Sequence, residues 1–176
     1  MLFGLLKPGA TKHLFFGITK ANMTTTAAAS SAARQVFIGS DHGGFEMKEA
    51  LKNYLKSKEV PVNDVGTHSA DSCDYPDIAQ GLCTQLLGSP SPGDLGILVC
   101  GTGIGISMAA NKVAGIRCAL CHDHFTAKMC RQHNNANVLA LGGRTTGIEV
   151  AKEIVDTFLT EGFQGGRHER RVGKIE

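Results

Sequence analysis

Residues 97–112 read ILVCGTGIGISMAANK, in which an apolar run ends on a cysteine and alternating glycines follow it. Cys100 stands where a buried strand would become a loop, about one turn ahead of a helix. The N-terminus of a helix carries a partial positive charge, which favours a thiolate over a thiol. Cys100 is therefore a candidate base, although a buried cysteine that only packs is the commoner role of this residue type.

The glycines after Cys100 admit three interpretations. A P-loop fails, because Ile106 and Ser107 stand where a glycine and a lysine are required. A dinucleotide fingerprint fits Gly101 and Gly103 and could use Asp123 for a ribose, but Ile106 replaces its third glycine and the remaining chain has no room for a second domain. The third interpretation is a loop whose backbone N–H groups converge on an anion, as a phosphate cradle or an oxyanion hole.

The run CALCH at residues 118–122 formally matches a haem attachment motif, and a zinc interpretation could add His124. It lies in an apolar segment typical of a strand, where side chains three residues apart point to opposite faces. Cys118 and Cys121 then do not converge on one ligand, and core packing is the preferred interpretation.

The segment RQHNNAN at residues 131–137 closes a predicted helix and leads into a strand. His133 could cap that helix through its charge, as histidines near helix C-termini do. A single histidine is more often structural than catalytic, and its neighbours Arg131 and Asn134 favour chemistry only slightly.

The C-terminal residues GGRHERRVGKIE place Arg167 and Arg171 one helical turn apart, with Arg170 beside them and Glu169 as the local acid. A solvated basic tail is one interpretation. The other is a paired guanidinium clamp for a phosphate or a carboxylate.

These residues must be positioned by the elements around them. From Gln35 onward, short apolar runs alternate with amphipathic segments, which predicts strands at 35–40, 60–66, 95–100, 115–121 and 137–143 and helices at 45–59, 76–87, 106–113, 123–134 and 147–162. Continuous apolar strands separated by helices are typical of a parallel sheet that is covered on both faces. The predicted fold is a Rossmann-like, three-layer α/β/α sandwich around a five-stranded parallel sheet.

In such a sheet, the loops after the carboxyl ends of the strands build the ligand site. Here these loops are SDHGG, THSADSCDYPD, CGTGIG, CHDHF and GGRTTG. They carry the candidate site residues Asp41, His42, Tyr75, Cys100, Thr102 and Arg144.

Composition narrows the class of protein. The 176 residues carry 18 basic and 16 acidic side chains, a net charge of +2 that gives no reason to expect nucleic acid as a partner. No apolar stretch reaches the length of a membrane span, and six cysteines in regular segments favour a reducing compartment, hence the cytoplasm. Residues 1–34 lack acidic residues and end in low complexity, which predicts a disordered leader, an organellar import signal or a start at Met23, ahead of one domain at 35–176.

The motifs SDHGGFEMK, DYPD, CGTGIGIS, RQHNNANVLALGGR and GGRHERR, taken in order, resemble the type B ribose-5-phosphate isomerases, in the family that also contains galactose- and allose-6-phosphate isomerases. The resemblance extends from about Gln35 to the C-terminus. It implies the strand order 2-1-3-5-4 and a homodimer or dimer of dimers in which two subunits share each site. It also implies neither metal nor other cofactor.

The resemblance also implies roles for individual residues. Cys100 matches the base that abstracts the proton, Thr102 the hydroxyl that assists it, and His133 a residue that opens the sugar ring from the partner subunit. Ile106 stands where one branch of the family has a glutamate base, which leaves Cys100 as the base here. The predicted substrate contacts are Asp41, His42, Tyr75, Gly101, Gly103, Ile104, Gly105, Asn134, Arg144, Arg167 and Arg171.

The expected reaction is the interconversion of ribose 5-phosphate and ribulose 5-phosphate through a cis-enediolate, a step of the pentose phosphate pathway. An aldose–ketose isomerase needs a base, an oxyanion hole and a clamp on the distant phosphate, and a cysteine, a glycine loop and arginines can supply them. His133 is the candidate for ring opening and Asp41 the second choice. The alternatives are a six-carbon substrate, such as allose or galactose 6-phosphate, and a phosphosugar-binding module without catalysis.

Overall fold

The computed structural model describes residues 34–175. The predicted leader, apart from Arg34, and the import signal expected there lie outside the described residues. The strands are β1 (Val36–Ser40), β2 (Val62–Gly66), β3 (Leu95–Cys100), β4 (Cys118–Leu120) and β5 (Val138–Gly142). The helices are α1 (Phe45–Ser57), α2 (Tyr75–Leu87), α3 (Ile104–Ala110), α4 (His124–Asn134), α5 (Ile148–Thr160) and α6 (Arg167–Val172), with a short 3-10 turn at His42–Gly44 before α1.

The five strands form one parallel sheet in the order β2-β1-β3-β5-β4, which confirms the predicted fold and strand order. Strand β3 is central, and its last residues pair with the ends of β1 and β5, Val99 with Ser40 and Cys100 with Gly142. Every residue of β1, β3 and β5 is buried. Cys100 therefore lies in the middle of the carboxyl edge of the sheet.

Two apolar layers hold the helices against the sheet. One face carries Ile97 and Val99 of β3 and packs against α1, α4 and α5, and the other carries Leu98 and Cys100 and packs against α2 and α3. Cys121 belongs to the first layer and Cys118 packs on the second, so the thiols of CALCH do lie on opposite faces as predicted. Within residues 34–175 no helix has the length and apolar composition needed to cross a membrane.

The structure differs from the predicted elements mainly at the C-terminus. Residues 167–172 form the helix α6, which was not predicted, instead of a solvated tail. The sequence pattern is weak there because only two of its side chains, His168 and Val172, are buried, four residues apart. Helix α3 begins at Ile104, two residues earlier than predicted, and β4 is only three residues long.

Candidate active site

Cys100 is the last residue of β3 and is only 5% exposed. The backbone N–H of Gly103 donates a hydrogen bond to its Sγ at 3.1 Å. Gly103 has a φ of +77°, and a Cβ at this position would lie 2.4 Å from Leu120 Cδ1. Only glycine can therefore bring this N–H to the sulfur. The thiol of Cys100 is thereby held at the start of the glycine loop.

A cleft of about 210 Å³ opens beside Cys100, and we call it the Cys100 cleft. Four loops wall it, those after β1, β2, β3 and β5, while the loop CHDHF after β4 contributes no lining residue. Its lining residues are Asp41, His42, Gly43, Tyr75, Cys100, Gly101, Thr102, Gly105 and Arg144. The structure thus brings together all six residues that the strand-end loops were predicted to supply. Gly43 was not predicted, although it lies inside the quoted motif DHGG.

Asp41 and His42 are fixed by local hydrogen bonds. The carboxylate of Asp41 is buried and accepts from the N–H of Gly44 at 3.0 Å, which caps the turn before α1. His42 Nδ1 accepts from the N–H of Cys73 at 3.3 Å. The proton of the neutral imidazole is therefore on Nε2, which makes that nitrogen a hydrogen-bond donor.

Two glycines allow larger side chains to approach the thiol. A Cβ on Gly105 would lie 2.7 Å from the ring of Tyr75, and one on Gly101 would lie 3.6 Å from the guanidinium of Arg144. The N–H of Arg144 donates to the carbonyl of Gly101 at 3.0 Å, which ties the loop after β5 to the loop after β3. The guanidinium itself has no hydrogen bond or ion pair to any residue from 34 to 175. It is thus available to an anion in the cleft.

Some backbone N–H groups of the glycine loop are hydrogen-bonded within the protein, and others are not. The N–H of Gly103 serves the sulfur, and that of Ile104 donates to Thr102 Oγ1 at 3.3 Å. Gly103 and Ile104, both predicted to contact substrate, are not among the residues that line the Cys100 cleft. The N–H groups of Gly101, Thr102 and Gly105 have no partner within the described chain and are the ones free to bind an oxyanion.

The remaining predicted residues lie elsewhere, on α4 and α6. Together with His168 they make up a group that we call the basic cluster: His133, Asn134, Arg167, His168 and Arg171. None of them lines the Cys100 cleft of the same chain. Within residues 34–175, no hydrogen bond or ion pair involves the side chains of His133, Asn134 or Arg171. These groups are free to meet a ligand or another protein surface.

His168 belongs to the basic cluster although it was not predicted as a site residue. Its position between Arg167 and Arg171 in GGRHERR is the feature of the sequence that could have indicated it. Its ring stacks on that of His133 with centroids 4.1 Å apart and planes 4° from parallel. Arg167 Nε donates to His168 Nε2 at 3.4 Å. Burial, followed by the charges of its neighbours His133, Arg167 and Arg171, lowers the pKa of His168. His168 therefore carries no charge near neutral pH.

Comparison with known proteins agrees with this geometry. Residues 36–175 match the family described as Ribose/Galactose Isomerase. Ribose-5-phosphate isomerase B of Escherichia coli is 45% identical over 142 residues, which cover 81% of this chain and 94% of that protein.

Two solved structures extend the comparison. A ribose 5-phosphate isomerase from Thermotoga maritima superposes with a TM-score of 0.78 at 52% identity, covering 81% of this chain and 97% of that one. Ribose-5-phosphate isomerase B from Mycoplasma genitalium with bound ribulose-5-phosphate gives a TM-score of 0.76 at 45% identity, with 81% and 94% covered. The chain therefore belongs to the ribose/galactose isomerase family.

Proposed function

We propose that this enzyme interconverts ribose 5-phosphate and ribulose 5-phosphate, with Cys100 as the base. The observation that carries the proposal is the thiol of Cys100, which accepts the N–H of Gly103 in a cleft that also holds the guanidinium of Arg144. The pentose is supported by relatives named ribose-5-phosphate isomerase B and by the Mycoplasma genitalium structure with bound ribulose-5-phosphate.

The reaction moves a proton between C2 and C1 of the open-chain sugar. The Cys100 thiolate removes the proton from C2 of the aldose, the C–H electron pair forms the C1–C2 double bond, and the electron pair of the C1 carbonyl moves onto O1 to give the enediolate. A proton then passes from the O2 hydroxyl to O1, the thiol returns a proton to C1, and C2 becomes the carbonyl carbon of the ketose. The free N–H groups of Gly101, Thr102 and Gly105 stabilise the negative oxygen of the intermediate. The hydroxyl of Thr102, which lines the same cleft, assists the exchange of the proton.

Two steps need more groups than the Cys100 cleft provides, since Arg144 is the only cationic side chain besides His42 among its lining residues. Opening the furanose ring requires an acid or base at the sugar oxygens, and the phosphate requires cations. The basic cluster contains both kinds of group, but none of its residues lines the Cys100 cleft of the same chain. We therefore assign His133 and Asn134, with the phosphate clamp of Arg167 and Arg171, to the cleft of a partner subunit.

A homodimer or a dimer of dimers of this kind needs a contact surface near the cleft. Ile104 and Met108 lie one turn apart on α3, directly after the glycine loop, and are 49% and 63% exposed. Adjacent exposed apolar side chains are typical of protein interfaces. They support α3 as part of the surface that meets the second copy.

We place the enzyme in the cytoplasm, with organellar import through residues 1–34 as the alternative, and assign catalysis to the domain at 35–176. All six cysteines are free thiols, although Cys121 Sγ and Cys130 Sγ lie only 3.8 Å apart. Such a pair supports a reducing compartment.

Replacing Cys100 tests the function. Cys100→Ala should lower kcat for ribose 5-phosphate by about a thousandfold, within the range that general acid–base catalysis contributes, while phosphosugar binding persists. Cys83→Ala is the matched control, because burial raises the pKa of that thiol to about 11 and it does not line the Cys100 cleft.

The same assay, run with ribose 5-phosphate and with allose and galactose 6-phosphates, separates the candidate functions. We expect the highest kcat/KM for ribose 5-phosphate. Faster turnover of a six-carbon substrate would replace the pentose assignment, and binding without any conversion would identify a phosphosugar-binding module. A Cys100→Ala variant with nearly wild-type kcat would show that Cys100 is not the base.

A further inference from the structure

The stacked pair of His133 and His168 joins two helices that are separated in sequence. His133 is half-buried near the end of α4, and His168, which is 6% exposed, lies on α6. The two rings are nearly parallel and stacked, with centroids 4.1 Å apart. The terminal torsion of a histidine is otherwise broad, so this contact fixes the plane of the His133 ring.

His133 depends on that contact for its orientation. Neither of its ring nitrogens has a hydrogen bond to any residue between 34 and 175. Histidines that act in catalysis are commonly held by a hydrogen bond from one nitrogen to a carboxylate or a carbonyl. Here the face of the ring is held instead, which leaves both nitrogens free for substrate.

His168 is itself held in one state. Because Arg167 Nε donates to His168 Nε2, that nitrogen is an acceptor and the ring proton is on Nδ1. A neutral His168 ring therefore places no positive charge against the face of the His133 ring.

We propose that His168 is a positioning residue that orients His133 for opening of the sugar ring, an inference that rests on the proposed function. In this step the C1–O4 bond of the furanose breaks, the proton of the O1 hydroxyl leaves to a base, and O4 takes up a proton. The products are a C1 aldehyde and an O4 hydroxyl. His133 exchanges these protons, and His168 never touches the sugar.

Ring opening can be separated from isomerisation, because ribulose 5-phosphate carries its phosphate on the oxygen that would close its ring and is an open chain. Exchange of its C1 hydrogen with D2O requires the base and the enediolate but no ring opening. Net conversion of ribose 5-phosphate requires both. Comparing the two rates, by NMR and by a coupled assay, isolates the step assigned to His133 and His168.

We expect His168→Ala to slow conversion of ribose 5-phosphate by about tenfold or more, as misplacement of a reacting group does, while C1 exchange stays near wild type. His168→Phe, which keeps the stack, should recover most of the conversion. Glu169→Ala, an exposed change on the same helix, is the control and should alter neither rate.

The outcomes distinguish this inference from the proposed function. A wild-type enzyme that performs neither reaction overturns the proposed function itself. If the wild type is active and His168→Ala leaves conversion unchanged, or reduces conversion and exchange equally, His168 does not position His133. A His168→Phe variant as slow as His168→Ala, with intact circular dichroism, would equally overturn the role of the stack.

Discussion

The Cys100 cleft is walled by loops that follow four parallel strands, whereas the basic cluster consists of side chains on two helices. In the cleft, the Gly143 N–H bonds to the Cys100 carbonyl at 2.8 Å and the Arg144 N–H to the Gly101 carbonyl at 3.0 Å. In the cluster, the side chains are joined by the stacked rings of His133 and His168 and by the hydrogen bond from Arg167 to His168.

If the two regions form one site between subunits, as proposed, this difference separates the two tasks of that site. A base and an oxyanion hole need atoms fixed to within a fraction of an ångström, which the ends of packed strands provide. A phosphate clamp tolerates more motion, because charge–charge attraction varies slowly with distance. We therefore expect changes in the cleft to affect kcat and the fold, and changes in the two arginines of the clamp, Arg167 and Arg171, to affect mainly KM.

Among changes that leave the Cys100 side chain in place, the largest effect should come from Gly103→Ala. The new Cβ would meet Leu120 at 2.4 Å and the backbone of Leu141 at 2.9 Å, at a positive φ that costs a non-glycine residue about 1–2 kcal/mol. We expect loss of most of kcat together with a lower Tm. Gly162→Ala is the control, because its Cβ would meet nothing within 4 Å. Wild-type kcat in Gly103→Ala would show that the N–H bond to Cys100 does not matter.

Arg171→Ala should have an intermediate effect, confined to binding. Loss of a hydrogen bond to a charged group costs about 1.5–3 kcal/mol, so KM for ribose 5-phosphate should rise about tenfold or more. Tm should stay unchanged, because the guanidinium is exposed. Arg170→Ala on the same helix is the matched control, and an equal KM in both variants would remove Arg171 from the clamp.

The smallest effect should come from replacing Asp64, which pairs with Lys48 next to the loop that leads to the cleft residue Tyr75. The fully buried Lys48 donates to Asp64 at 2.9 Å and to the carbonyl of Thr67 at 2.7 Å, in the loop that leads to Tyr75. Burial alone would raise the pKa of Asp64, but hydrogen bonds from Lys52 and Lys48 outweigh it and hold the pKa below its usual range.

Asp64 therefore contributes stability that is complete above its unfolded pKa of about 3.9 and is lost as pH falls through the lower folded value. Urea unfolding between pH 6 and pH 3 should show a drop in midpoint that is shallower in Asp64→Asn than in the wild type. Equal slopes in the two proteins would mean that the charge of Asp64 contributes nothing to stability.

The sequence predicted the cleft better than the cluster. The apolar strand patterns predicted the sheet, and the carboxyl ends of parallel strands meet at one edge. The prediction therefore placed loops that are far apart in sequence together around Cys100, where they lie in the structure. Helix α6 was missed because a six-residue helix with two buried side chains carries almost no periodic signal. The bond from Gly103 to Cys100 depends on one backbone torsion, which residue types alone do not specify.

The most direct test of the shared site is complementation between two variants expected to have little activity, Cys100→Ala and His133→Asn, mixed in equal amounts and allowed to exchange subunits. If a site takes Cys100 from one chain and His133 from the other, each mixed dimer has one intact site. Random pairing should then restore about a quarter of the wild-type activity. If both residues act within one chain, every site in the mixture keeps a defect. Activity that stays at the level of the separate variants, although mixed dimers have formed, would contradict the shared site.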